Sequence, residues 1–105
     1  MKKFSDYLAT LETTDHIQKI ELFGKDASLA GTIENKPGSQ GSVKVYHHLL
    51  QKHGSINKEA AKEGLKIYAE HTQDAEENPG KHPNIDRLFG VIETGETLTA
   101  SITPV

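Results

Sequence analysis

From Asn57 to Glu77, Ala61, Leu65, Tyr68, Thr72 and Ala75 recur at intervals of four and three. Ala60, Gly64 and Ile67 widen that stripe on one flank. This spacing predicts one long amphipathic helix, which needs a surface to lie on. Before it, Tyr46, Leu49 and Leu50 set the apolar face of a helix predicted over Val43–His53. Ser42 is its expected N-cap and Gly54 its stop. The connection Ser55-Ile56 is so short that the two helices are expected to pack antiparallel. A shorter helix, too short to stand alone, is predicted over Phe4–Leu11.

Elsewhere the period drops to two. Ile20 and Leu22 alternate with Lys19 and Glu21 over Ile17–Phe23, and Leu29–Glu34 reads as the returning strand after a turn at Gly24-Lys25-Asp26. Gly31 would allow a close approach by a helix or a bulge. Phe89–Ile92 reads as extended, and Leu98, Ala100 and Ile102 alternate with Thr97, Thr99 and Ser101. A turn at Thr94-Gly95-Glu96 would make this a second hairpin. A two-residue turn places Leu98 opposite Val91, and a three-residue turn places it opposite Ile92.

The expectation is an α+β fold. An antiparallel sheet of about four strands from two hairpins is covered by an antiparallel helix pair plus a short N-terminal helix. Leu8, Leu11, Ile20, Leu22, Leu29, Ile33, Tyr46, Leu49, Leu50, Leu65, Tyr68, Leu88 and Leu98 are its expected core.

Length and composition sharpen this picture. The 105 residues suit a single globular domain over residues 1–105, and an apolar fraction of 34% makes its core small. A formal charge of −3 supplies no field for a nucleic-acid backbone, so nucleic acid is not an expected partner. With no cysteine, disulfides, thiol catalysis and thiolate metal sites all drop out. No apolar run follows Lys2-Lys3 and none could span a bilayer, so the cytoplasm is the expected compartment and no membrane partner is expected.

Three stretches offer candidate chemistry. Lys36, Gly38, Ser39, Gly41 and Ser42 precede a helix and could cradle a phosphate or carboxylate with backbone and side-chain donors. The spacing matches neither a Walker motif nor a dinucleotide fingerprint, and an ordinary flexible connection is the simpler explanation. Six histidines are present. Their spacings do not converge on a metal, so neither a metal site nor a cofactor is expected. The polar loop Asn78–Arg87 holds His82 and Asp86, which could pair and, with His71, form an acid–base group. No activated nucleophile accompanies them. The carboxylates Asp74, Glu76 and Glu77 oppose the dipole at the end of the long helix and call for a basic partner such as Lys81 or Arg87. Gly64 fits close packing against a neighbouring helix within the chain better than contact with another subunit.

Ile33-Glu34-Asn35-Lys36-Pro37-Gly38-Ser39, Tyr68-Ala69-Glu70-His71-Thr72 and Asn78-Pro79-Gly80-Lys81-His82-Pro83-Asn84-Ile85-Asp86-Arg87-Leu88 together resemble a small, mainly proteobacterial family of proteins of unknown function. The resemblance covers nearly the whole chain. It implies a soluble bacterial protein and transfers no activity.

Two functions compete. The leading one is a non-enzymatic binding or regulatory protein working through protein contacts, including a homodimer formed through weakly protected strand edges. The alternative is a small-molecule site for a phosphate or carboxylate, with Lys36–Ser42 as its anion end and His71, His82 and Asp86 as its acid–base end. A flat apolar patch favours the first and a cleft joining the two loops favours the second.

Overall fold

The computed structural model describes residues 2–105. In order, the chain forms α1 (Phe4–Leu8), β1 (Ile17–Phe23), β2 (Leu29–Glu34) and α2 (Gln40–His53). It continues with α3 (Lys58–Tyr68), α4 (Glu70–Glu77), α5 (Pro83–Thr94) and β3 (Thr99–Pro104). The three strands make one antiparallel sheet in the order β2-β1-β3. The α+β class stands, but the four-stranded sheet and its three-helix cover do not: the described residues form three strands and five helices.

The missing strand is the clearest correction. Phe89–Ile92 belongs to α5, so no second hairpin forms and the question of its register disappears. Ile85, Leu88 and Val91 are the buried residues of that helix, three residues apart. Pro83 starts the helix, where its missing N–H costs nothing, and Gly95 ends it in the left-handed region at φ 74°. β3 then pairs with the free side of β1, placing Ile102 opposite Ile20 and Ala100 opposite Leu22.

The long helix is also corrected. It breaks at Ala69, whose φ of 52° and ψ of −116° end α3 and begin α4 in a new direction. The hydroxyl of Thr72 donates to the carbonyl oxygen of Leu65 across the break. In addition, α2 begins at Gln40 rather than Val43, and Ser42 lies within its first turn. Asn57 does cap α3, its side chain accepting from the Ala60 N–H at 2.8 Å.

One continuous core joins these elements. Ile17, Ile20, Leu22 and Ile33 from the sheet meet Val43, Tyr46 and Leu49 from α2, Ala60 and Ala61 from α3, and Leu88 from α5. Gly64 is where three helices meet. A Cβ there would sit 2.7 Å from a methyl of Leu88 and 3.0 Å from one of Leu49, so this glycine serves packing within the chain. At Gly31 on β2 the close neighbour is the Arg87 guanidinium, which would lie 2.2 Å from an added Cβ. Of the expected core, Leu29 is 57% exposed at the sheet edge, and Leu8, Leu11, Leu50 and Leu65 are only partly buried.

Candidate functional site

Three helix beginnings converge on one cavity of about 420 Å³. Gly38, Ser39, Gly41 and Ser42 line it from the start of α2, and His71 lines it from the first turn of α4. Lys81, His82, Pro83, Asn84 and Ile85 line it from the start of α5, and Phe4 and Tyr68 complete it. The two loops that the sequence left unconnected therefore meet.

The backbone explains the polarity of this cavity. The first intrahelical bond of α2 runs from the Val43 N–H to the Ser39 carbonyl. The N–H groups of Gln40, Gly41 and Ser42 come before that bond and find no acceptor among the described residues. Unpaired amides at a helix start carry partial positive charge and suit an anion. Gly41 allows Phe4 to lie directly on this turn, since a Cβ there would be 3.1 Å from the Phe4 ring.

The titratable groups are arranged differently from the sequence expectation. His82 pairs with Asp74 rather than Asp86, its Nε2 lying 2.6 Å from Asp74 Oδ2. Lys81 Nζ is 3.0 Å from the same oxygen. The hydrogen bonds from His82 and then Lys81 hold the Asp74 carboxyl down to about 2. Asp86 instead accepts the Gly80 N–H at 2.9 Å, pinning the loop from outside the cavity. Lys36 is also outside, paired with Glu34 at 2.9 Å. Of the eight candidate residues, Gly38, Ser39, Gly41, Ser42, His71 and His82 share the cavity, while Lys36 and Asp86 do not.

Asp74, Lys81, Phe4 and Tyr68 were missed as site residues. Asp74 did carry a signal, because it was one of the acids misplaced at a helix end. Phe4 carried none: its contact depends on how α1 docks, through the Phe4 N–H bonded to Glu70 Oε1 at 2.8 Å.

With Nε2 engaged by Asp74, Nδ1 is the remaining ring nitrogen of His82. Ser42 is not an activated nucleophile. Its Oγ accepts a 2.7 Å bond from the hydroxyl of Tyr68, whose pKa is raised by burial, so the phenol stays a donor. Among the described residues, no three His, Asp or Glu side chains are placed to hold a metal.

The other histidines have structural partners. His48 and His53 meet the two oxygens of Glu63 at 2.7 and 2.9 Å, fastening α2 to α3. His47 is buried, and its ring meets His16 edge-on at 5.6 Å.

Fold and cavity define a compact α+β domain with a cleft where three helix starts converge. The chain belongs to a bacterial family described as "uncharacterized protein conserved in bacteria" (DUF2322), whose profile matches residues 4–102. No curated protein and no solved structure matches the chain. No helix among the described residues is long and apolar enough to cross a membrane.

Proposed function

We propose that this protein binds a small anionic molecule, a phosphate or carboxylate, in the cavity between the starts of α2 and α5. One observation carries this reading: Gly41 and Ser42, whose amides precede the first intrahelical bond of α2, line the same cavity as Lys81, His71 and His82. The proposed setting is one globular domain spanning residues 1–105 in the cytoplasm of a bacterium, chiefly a proteobacterium. Titration of ¹⁵N-labelled protein with inorganic phosphate tests the site. The Gly41 and Ser42 amide resonances should move together and saturate, and Lys81→Ala should weaken the response by up to about fivefold. Unmoved amides at tens of millimolar phosphate would sink the reading.

Protein contact is the second reading, favoured by the open edge of β3. Ile102 on that edge strand is 40% exposed and Val105 just beyond it 88% exposed. Antiparallel pairing of β3 with its copy across a two-fold axis would give a homodimer. Light scattering across a micromolar dilution series should then show twice the chain mass, and a monomer mass throughout would count against it.

A further inference from the structure

One side of the cavity is built of rings. Phe4 stacks on Tyr68 with centroids 5.2 Å apart and planes 20° apart. It meets His71 edge-on at 5.1 Å, and His71 tilts against His82 at 5.8 Å. All four rings line the cavity, and Pro83 and Ile85 add apolar surface. Binding a free inorganic anion needs donors alone, whereas this wall adds ring and apolar surface to the cavity. Phe4 also lies against Gly41, so the ring wall begins beside the unpaired amides. A ligand whose anionic group reached those amides would bring its next atoms past the Phe4 ring. A cavity of about 420 Å³ is in the range of small-molecule sites and exceeds the needs of a bare phosphate.

We infer that the ligand is a planar heteroaromatic ring carrying a phosphate on a short linker, the chemistry of a nucleoside monophosphate. The ring stacks along Phe4 and the neighbouring imidazoles while the phosphate takes the α2 amides and Lys81. Stacking on an aromatic side chain tolerates any base, because every base has a π-face. Base identity is therefore expected to matter little.

This rests on the anion-binding reading, and three probes separate the two. Inorganic phosphate, ribose 5-phosphate, and adenosine or uridine 5′-monophosphate are titrated by calorimetry against the whole protein. The nucleotides should bind about 5- to 100-fold more tightly than ribose 5-phosphate. Phe4→Leu, which keeps apolar bulk under α1 but removes the π-face, should bring the ratio of nucleotide to ribose 5-phosphate affinity down to within about threefold. Equal affinity for the sugar phosphate and the nucleotides, or an advantage untouched by Phe4→Leu, overturns the inference and leaves the anion site standing. No binding by any of the three overturns both. A Phe4→Leu protein that loses ribose 5-phosphate as well shows Phe4 to be structural and overturns its role as stacking platform.

Discussion

Tyr46 shows how a polar group enters a core of this size without penalty. Its side chain is fully buried, yet its hydroxyl donates to the Asn84 carbonyl at 2.6 Å and accepts from Arg87 Nη1 at 3.2 Å. Arg87 Nη1 also donates to Asn84 Oδ1 at 3.0 Å, so one guanidinium ties α5 to α2. Burial, set against the nearby Arg87 charge, still pushes the phenol up to about 12, so the hydroxyl remains a donor at ordinary pH. Tyr46→Phe keeps the ring but strips both Asn84 and Arg87 of a buried partner. It should cost about 1–3 kcal/mol in urea denaturation. A loss below the error of that measurement would show that the pair had reached water instead. Because Asn84 lines the cavity, the same variant should also loosen the start of α5.

The break between α3 and α4 turns His71 toward Phe4 and creates one wall of the cavity. Alanine is a poor residue for φ 52° and ψ −116°, a conformation natural only to glycine. The strain persists because Glu70 holds Phe4 and Thr72 holds the Leu65 carbonyl. Ala69→Gly relieves it at a smaller cost in chain entropy, and should raise stability by about 1 kcal/mol in thermal or urea unfolding. A destabilised Ala69→Gly protein would contradict the strained geometry. The sequence could not reveal this break: Tyr68-Ala69-Glu70 has good helix formers, and the constraint comes from residues distant along the chain. Helix α5 is a different case, because Pro83 at its start and Gly95 at its end were visible helix boundaries. The apolar run Phe89–Ile92, which ends in the β-branched pair Val91-Ile92, outweighed them and suggested a strand. Periodicity did identify β1, β2 and part of the buried faces of α2 and α3, Tyr46 and Leu49 on the one and Ala61 and Tyr68 on the other, because there local pattern and tertiary packing agree. The cavity followed the same division: its glycine and serine loop was readable, whereas the Asp74–His82 pair depended on where α4 ends.

Acid stability should follow the carboxylates that hold elements together. Burial raises the Glu63 pKa, but the bonds from His53, His48 and Lys52 outweigh it and hold the group down to about 2 from an ordinary 4.5. Asp74 is depressed in the same direction. A carboxyl whose pKa is lower in the folded state contributes fully above its unfolded pKa and loses that contribution as pH falls through the folded value. The gap in urea midpoint between the parent protein and Glu63→Gln should therefore be wide at about pH 6 and close as pH approaches about 2. A gap that stays constant over that window would place the effect of Glu63 elsewhere. The sheet order bears on assembly in time as well. β1 acquires β2 through a short turn, but its other ladder joins residues as distant as Ile17 and Pro104. While a nascent chain has emerged only as far as α5, the central strand still shows one row of unpaired amides and carbonyls. That row is a template for any passing strand until β3 arrives, so the slow, high-contact-order step of folding is also the interval of greatest exposure to misassociation.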